Sequence, residues 1–256
     1  VLITSKKGAK SEKVEVSYSG NFSWQNISKK MEMARVDGIQ YRIDALKRAK
    51  GTLYGAFWYV DETSLERAKE WDKTWGGKLY GRDWYVDASN RKFSIRTFDP
   101  YDYMIREWAP SQTHNISLSG RSGKTVFNVG LGYLDQNGLM KLAKHDDFRR
   151  WNGSIRLSTE INKYITARAG ANYSKRNKRY AYATNSTTAD PWLYLYRWDS
   201  TYPIGYDENG NEMRSPASEI HQANTANKEN NYLSFNVGAT LQITKDWKFE
   251  IDYTYA

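Results

Sequence analysis

Residues 149–174 carry the clearest indication of the fold and read RRWNGSIRLSTEINKYITARAGANYS. In each half an arginine, first Arg156 and then Arg168, stands between two apolar residues, and polar and apolar residues go on alternating on both sides. A period of two is that of a β-strand, because successive side chains point to opposite faces of a sheet. Since only residues 162–164 separate the halves, the stretch predicts a β-hairpin with one apolar and one polar face.

The same alternation returns in five further segments, so the sequence predicts seven strands. The segments are 14–24, 113–120, 125–134, 149–161, 165–174, 232–243 and 247–255. The polar positions hold small residues, arginine and glutamate, which suit a water-filled lumen better than the dry core between two packed sheets.

The connections between the predicted strands fall into two classes. The tight turns are 121–124, 162–164 and 244–246, and the long loops are 25–112, 135–148 and 175–231. Bacterial transmembrane barrels sort their connections in this way, with short turns at one end and long loops at the other. Aromatic residues near strand ends, as in the girdles of such barrels, are Trp24, Tyr133, Trp151, Tyr173 and Trp247. The sequence therefore predicts an all-β fold, an antiparallel transmembrane β-barrel with long extracellular loops.

The alternation also predicts what each face of the sheet contacts. A shift of one residue would turn the polar set toward lipid, so the apolar face is predicted to be the outer one. The residues predicted to face lipid are Phe127, Val129, Leu131, Ile155, Leu157, Phe235, Val237 and Leu241. Arg150, Arg156 and Arg168 are predicted to face the lumen, because arginine at mid-depth on the lipid side costs about 2–4 kcal/mol.

The composition argues against several kinds of site. The 256 residues include no cysteine and three scattered histidines, so we expect neither a disulfide framework nor a metal site. Mean hydropathy is −0.81, and no apolar run approaches the roughly 18 residues of a membrane helix. The net charge of +9 is spread along the chain, so nucleic acid is not a predicted partner. Gly123-Lys124-Thr125 lacks the earlier glycine of a nucleotide-binding loop, and we expect no cofactor.

Four short segments resemble, in order along the chain, the signatures of one family. They are residues 1–8 (VLITSKKG), 16–21 (VSYSGN), 112–120 (QTHNISLSG) and 132–138 (GYLDQNG). Each segment is short, but the order and the spacing together are specific. The chain resembles the SusC/RagA-type TonB-dependent outer-membrane transporters.

This resemblance implies a domain organisation. Residues 1–8 would be the end of the plug domain, and residues 9–256 the N-terminal part of the transmembrane barrel. Barrels of this class have about 22 strands and a plugged lumen, so about seven strands cannot close by themselves. Because the chain begins with Val1, we expect it to be an internal piece of a longer protein. In the family the plug joins the barrel at the periplasmic end, so the tight turns would be periplasmic and the long loops extracellular.

The resemblance also implies a function and partners. The whole protein would import glycan oligosaccharides or peptides across the outer membrane of a Gram-negative bacterium, and it would not be an enzyme. A SusD-like surface lipoprotein would close over it as a lid, and the TonB complex would pull on the plug through an N-terminal region that this chain lacks. Outer-membrane lipid would surround the barrel, and carboxylates of the plug would pair with the three lumen-facing arginines.

The long loops are rich in tryptophan and tyrosine. Residues 190–199 read DPWLYLYRWD, and flat amphipathic aromatic rings suit contact with a sugar or a peptide. The candidates for contact with substrate or lid are Trp192, Tyr194, Tyr196 and Trp198. The alternative, which we rank above this for any single tryptophan, is that the rings fill small cores within the loops. A short helix is predicted over Ser64–Trp75.

Two other functions are compatible with the alternating strands. A soluble carbohydrate-binding β-sandwich would have to protect both edges of its sheets. A secreted glycoside hydrolase would need two carboxylates that converge in a cleft at a defined separation. The three possibilities differ in one observable feature, which is whether the apolar strand faces form one continuous band about 25 Å tall.

Overall fold

The computed structural model describes residues 12–32, 34–49, 59–75, 84–95, 99–182, 206, 209–213 and 215–256. The strands are β1 (Glu15–Gln25), β2 (Trp84–Val86), β3 (Lys92–Ser94), β4 (Ala109–Ser122), β5 (Thr125–Asn137), β6 (Asp147–Glu160), β7 (Ile165–Tyr182), β8 (Asn224–Gln242) and β9 (Lys248–Tyr255). The helices are α1 (Val36–Arg48), α2 (Glu62–Trp75), α3 (Pro100–Met104) and α4 (Pro216–Gln222). Seven strands form one sheet in the order β1-β4-β5-β6-β7-β8-β9, while β2 and β3 form a separate hairpin. The predicted all-β fold is confirmed.

Every neighbouring pair in the large sheet is antiparallel. The strands of the large sheet stand side by side in the order in which they occur in the chain. The β2–β3 hairpin comes between β1 and β4 in the sequence but is not part of this sheet. As a consequence, all the tight turns lie at one end of the sheet and all the long connections at the other. We call these the short-turn end and the long-loop end.

Local interactions form the tight turns. Gly123, between β4 and β5, has φ +57°, a conformation that glycine adopts at little cost. Between β6 and β7, the Asn162 side chain accepts hydrogen bonds from the backbone N–H groups of Tyr164 (2.8 Å) and Ile165 (3.0 Å). Between β8 and β9, Thr244 Oγ1 accepts one from the N–H of residue 247 at 3.1 Å. These turns therefore fix the register of their hairpins.

The strands extend further toward the long-loop end than the hydrophobic pattern indicated. β7 continues to Tyr182 and β8 begins at Asn224, so their connection is 183–223 rather than 175–231. β5 and β6 likewise extend beyond the predicted limits of their loop. In these added strand residues both faces carry polar side chains, so the apolar–polar alternation disappears. The backbone pairing between the strands nevertheless continues.

The first long connection folds into a small unit of its own. The helix predicted over Ser64–Trp75 is confirmed and begins at Glu62, whereas α1 was not predicted. Side chains of α1 and α2 share a core whose buried members are Ile39, Ile43, Val60, Leu65 and Ala68. No helix within the described ranges is long and apolar enough to cross a membrane.

A second core joins three connections at the long-loop end. Its buried residues come from α3, from the loop between β5 and β6, from the end of β7 and from α4. They are Tyr101, Met104, Ile105, Met140, Ala143, Ala181, Ala217, Ile220 and Ala223. The N-terminus of α4 is fixed by a capping box between Ser215 and Ser218, in which each hydroxyl accepts a hydrogen bond from the other residue's backbone N–H.

Candidate functional site

The register of the sheet determines which side chains share a face. Val129 of β5 lies opposite Ile155 of β6, followed across the sheet by Ala171 and Phe235. Rows of this kind recur at every second residue, and rows of the other face lie between them. We call the face that carries Val129 the apolar face and the face that carries Arg156 the polar face.

The apolar face is exposed although it is hydrophobic. Leu131 is 61% exposed, Val237 55% and Phe235 49%, and the buried cores within the described residues lie among the connections at the long-loop end. A β-sandwich would have packed this face against a second sheet. All eight residues predicted to face lipid share this face, and the described part of the chain places none of them in a packed core.

The apolar rows follow one another across the sheet without interruption. They run from the row of Ile165, near the short-turn end, to the row in which Tyr133 and Trp151 pair beside Lys175. The ten steps along β7 from Ile165 to Lys175 span about 34 Å at about 3.4 Å per residue. With the tilt of about 40° usual in membrane barrels, the band is about 25 Å tall, which matches the apolar band of an outer-membrane barrel.

The last row of the apolar band is aromatic. The rings of Tyr133 and Trp151 lie 4.2 Å apart between centroids. Nearer β1, the Tyr18 hydroxyl hydrogen-bonds His114 Nδ1 at 2.8 Å, and Phe22 meets the same imidazole edge-on. Amphipathic rings of this kind occupy the interface between lipid and water in membrane barrels.

From the aromatic row onward this side of the sheet carries charged residues, and these charges are paired. The ion pairs are Arg149–Asp135 at 3.4 Å, Lys175–Glu229 at 3.1 Å and Arg179–Asp147 at 2.7 Å. Each pair joins neighbouring strands. This change from apolar to aromatic to charged side chains is the one expected where a barrel leaves the membrane.

On the polar face, Arg168 has partners within the chain. Its guanidinium donates to both carboxylate oxygens of Asp252, at 3.0 and 3.1 Å, and to the hydroxyl of Thr240, and it lies 3.9 Å from Glu250. Arg168 therefore has a carboxylate partner within the chain, and a partner in the plug stays a prediction for it. The carboxylate of Asp252 belongs to β9, which is the second strand from β7 in the sheet. It reaches Arg168 across Gly238 of β8.

Gly238 makes this ion pair possible. In the row that contains Arg168, Gly238 and Asp252, the glycine has no side chain to separate the other two. A Cβ at residue 238 would lie 2.0 Å from Asp252 Oδ1 and 2.9 Å from the backbone carbonyl oxygen of Ile251. The missing side chain therefore leaves the space in which the carboxylate lies.

Arg150 and Arg156 lie on the same polar face as Arg168, as their register with β5 and β7 requires. Within the described part of the chain neither forms an ion pair. The Arg150 Nε atom is buried and has no hydrogen-bond partner there. A partner in the plug thus stays a prediction for these two arginines.

Arg150 belongs to a cluster of positive charge near the long-loop end. A cavity of about 340 Å³ opens on the polar face, and its lining residues are Phe148, Arg150, Arg176, Lys178, Lys228 and Asn230. Arg150 lies directly opposite Arg176, and Lys178 directly opposite Lys228. We call the four cations of this lining, Arg150, Arg176, Lys178 and Lys228, the basic cluster.

Three members of the basic cluster were not recognised in the sequence. Arg176, Lys178 and Lys228 fall in the predicted loop 175–231, where no face was assigned to any residue. The sequence did contain an indication, because Arg176 and Lys178 stand two residues apart directly after a strand pattern. Their convergence with β8 depends on a pairing that the sequence alone does not reveal.

The acidic residues of the loop between β5 and β6 are structural. Asp146 accepts a hydrogen bond from the N–H of Met140 at 2.8 Å, and burial raises the pKa of its carboxyl group. Asp147 pairs with Arg179. No group of three potential metal ligands occurs in the described ranges.

The aromatic candidates for substrate or lid contact, Trp192, Tyr194, Tyr196 and Trp198, lie outside the described residues. Among the other loop tryptophans, Trp108 is 56% exposed. Trp71 is buried, and Trp84 is buried against Met213. For these two tryptophans the alternative interpretation, packing within the loops, is correct.

Comparison with known proteins gives one relative by sequence and several by structure. No family model matches the chain. The chain is 24% identical over 218 residues to the TonB-dependent receptor SusC of Bacteroides thetaiotaomicron, which covers 82% of this chain and 18% of that receptor.

Solved structures of the RagAB importer match this chain in fold. The RagAB peptide importer in its closed-closed state matches with a TM-score of 0.59 and 19% identity, over 97% of this chain and 29% of that chain. A structure of the RagAB peptide transporter matches with a TM-score of 0.58 and 17% identity, over 96% of this chain and 28% of that chain. The chain thus spans less than a third of the length of these relatives.

These relatives are by name a receptor and importers, and none is an enzyme, as expected for this chain. At this level of identity the structures show the fold, which is that of a segment of the RagA barrel. The sequence match to SusC covers most of the chain independently. The chain has the fold of a barrel segment of the SusC/RagA-type TonB-dependent transporters, and the resemblance predicted from its sequence is confirmed.

Proposed function

We propose that the chain is part of a TonB-dependent transporter in the outer membrane of a Gram-negative bacterium. Residues 1–8 end the plug domain, and residues 9–256 form the N-terminal part of the barrel. The observation that carries the proposal is the exposed apolar band, about 25 Å tall by the estimate above, on one face of a sheet whose other face is polar. The similarity to SusC and to the RagAB structures supports it.

The long-loop end is extracellular in this proposal. The aromatic row and the paired charges lie toward that end, and the core that contains Tyr101, Met140 and Ile220 joins the three long connections there. The tight turns then lie in the periplasm, where outer-membrane barrels have their short connections. The polar face lines the lumen, and Arg150, Arg156 and Arg168 point into it.

The proposed partners follow from the family resemblance. A SusD-like lipoprotein would contact the long-loop end as a lid, and outer-membrane lipid would contact the apolar face. The TonB complex would act through a region that lies N-terminal to residues 1–8. The cargo would be glycan oligosaccharides or peptides, and one relative is described as a peptide importer.

Membrane insertion and transport are tested together in cells that express the complete protein. We expect it in the outer-membrane fraction, and we expect uptake of its cargo to stop when TonB is removed while the protein remains inserted. Recovery in the soluble periplasmic fraction, or uptake that continues without TonB, would contradict the proposal.

The aromatic residues at 190–199 are tested in the same cells. Replacement of Trp192 and Trp198 by alanine should reduce uptake or lid binding without reducing the amount of inserted protein, because stacked rings are lost from the contact surface. Trp84→Ala, in a loop core, should instead reduce the amount of folded protein. Unchanged uptake and lid binding in the double variant would mean that both rings only pack the loop.

A further inference from the structure

The basic cluster differs from every other group of charges at its level of the sheet. Its residues occupy two successive rows of the polar face at the long-loop end. On the opposite side of the same strands, Arg149, Lys175 and Arg179 each have a carboxylate partner on a neighbouring strand. In the described part of the chain, none of the four cations of the cluster forms an ion pair.

The arrangement of the cluster is unfavourable by itself. Arg150 and Arg176 are a directly opposed cross-strand pair, and so are Lys178 and Lys228. Side chains in such pairs start about 5 Å apart, and like charges there destabilise the sheet. Asp146 is close enough to Lys178 for the lysine to lower its pKa, but the two form no ion pair. Two repulsive pairs in adjacent rows indicate a site that a negatively charged ligand neutralises.

We propose that the basic cluster binds the carboxylate or sulfate groups of an acidic oligosaccharide on its way into the lumen. This inference rests on the proposed transport function and specifies its cargo. Guanidinium groups bind carboxylates and sulfates through two parallel hydrogen bonds, and the side chains of Arg150 and Arg176 both line this cavity. The lysines supply mobile point charges for the next acidic group along the chain.

The remaining lining of the cavity suits a sugar. Phe148 offers an apolar ring surface, and the Asn230 side chain offers both a donor and an acceptor for hydroxyl groups. The volume of about 340 Å³ lies in the range of small-ligand sites and holds a short part of an oligomer. The rest of the ligand would extend into the lumen or toward the loops.

A peptide is a less suitable ligand for this site. A free peptide carries an ammonium group at its N-terminus, and the lining of the cavity contains no carboxylate to receive it. Four uncompensated cations repel that group. An acidic oligosaccharide carries negative charge at regular intervals and has no cation, so every charged group is attracted.

The test is a binding measurement on the complete purified transporter in lipid nanodiscs. The probes are tetragalacturonate, a neutral galactose tetramer of the same length, and a tetraglutamate peptide. We expect tetragalacturonate to bind. Its affinity should fall as the salt concentration is raised, because ions in solution screen the attraction between the cluster and the carboxylates. The neutral tetramer should bind at least tenfold more weakly. Absence of tetragalacturonate binding, or equal binding of the neutral tetramer, would overturn the proposal.

Two variants locate the binding. Arg150→Gln combined with Arg176→Gln should weaken tetragalacturonate binding tenfold or more. The matched control is Arg149→Gln combined with Lys175→Gln, which removes two positive charges one residue away on the opposite face and should leave the affinity unchanged. Equal losses in both variants would mean that overall charge, and not this cluster, determines binding. Tighter binding of tetraglutamate than of tetragalacturonate would overturn the assignment to an oligosaccharide.

The competing possibility, that plug carboxylates neutralise the cluster, gives a different result. In that case the double variant would lower the unfolding temperature and leave ligand affinity unchanged. The inference expects the reverse, since removal of like charges relieves repulsion. TonB-dependent uptake of tetragalacturonate separates this inference from the proposed function. If tetragalacturonate binds but is not taken up in a TonB-dependent way, only the transport proposal is refuted. If another cargo is taken up in a TonB-dependent way but tetragalacturonate does not bind, only the proposed basic site is refuted.

Discussion

The two ends of the large sheet use charged residues in opposite ways. In the short-turn half, the outer face carries an apolar band and the polar face holds Arg168 in contact with Asp252. In the long-loop half, the outer face carries paired charges, and the polar face holds the unpaired cations of the basic cluster. Charge in the first half thus stabilises the structure, whereas in the second half unpaired charge is available to a ligand. Four predictions test this difference.

The largest effect is expected for an arginine placed in the apolar band. Leu157→Arg should lower the free energy of unfolding of the complete protein by about 2–4 kcal/mol if it lies near the midplane. The control, Gln112→Arg, puts the same side chain on the outer face of the long-loop half, beside Asp135. It should cost no more than about 1 kcal/mol. Denaturant unfolding in lipid vesicles measures both, and equal costs would show that no membrane boundary separates the halves.

The second prediction concerns the space that Gly238 leaves for Asp252. Gly238→Ala should destabilise the protein by about 1–3 kcal/mol, because the new methyl group overlaps both the carboxylate and a backbone carbonyl that cannot move away. Gly153→Ala on the apolar face meets only Leu131 Cδ2 at 3.8 Å and should be nearly neutral. Thermal unfolding compares the two variants. If the two variants lose equal stability, the space left for Asp252 is not the reason why residue 238 is glycine.

The third prediction compares a paired arginine with an unpaired one. Arg168→Gln should cost up to about 1 kcal/mol, since Asp252 is 59% exposed on its side chain and solvent weakens the pair. Arg150→Gln should cost nothing or stabilise slightly, because it reduces the repulsion from Arg176. The free energies of unfolding of the two variants, each compared with that of the unchanged protein, test this prediction. A larger loss for Arg150→Gln would mean that its charge has a structural partner.

The smallest effect concerns the carboxyl group of Asp146 at the long-loop end. Burial raises its pKa above the ordinary value, although the hydrogen bond from Met140 and the nearby Arg106 and Lys178 oppose the shift. The folded state therefore binds the proton more tightly than the unfolded state. Its stabilising contribution is complete below the ordinary pKa and is lost as pH rises through the raised one.

The pKa of Asp146 is measurable by NMR titration of its carboxyl carbon. We expect the midpoint above that of an exposed aspartate, and Asp146→Asn should remove this part of the pH dependence of stability while retaining an acceptor for Met140 N–H. An unshifted or lowered midpoint would show that the nearby cations dominate. In that case the positive charge of the basic cluster extends further into the loops.

The amino-acid sequence by itself determined the phase of the strands. Alternation in the segment around Arg156 and Arg168 put both residues on the polar face, and the structure agrees, because the period of two is a property of the extended backbone and does not depend on neighbours. The tight turns were equally predictable, since Gly123 and Asn162 act through local conformation and hydrogen bonds. The family signatures were also contained in short local segments.

The ends of the strands and the pairing of the charges depend on contacts between distant segments. Beyond the aromatic row both faces are polar, so hydropathy no longer distinguishes strand from loop, and the ends of β7 and β8 depend on the ladder between them. The α1 helix depends on a core that it shares with α2. The partner of Arg168 comes from β9, 84 residues further along the chain. Lys178 and Lys228 likewise meet only because β7 pairs with β8. Contacts between distant segments depend on the register of the whole sheet, and a local pattern does not contain that register.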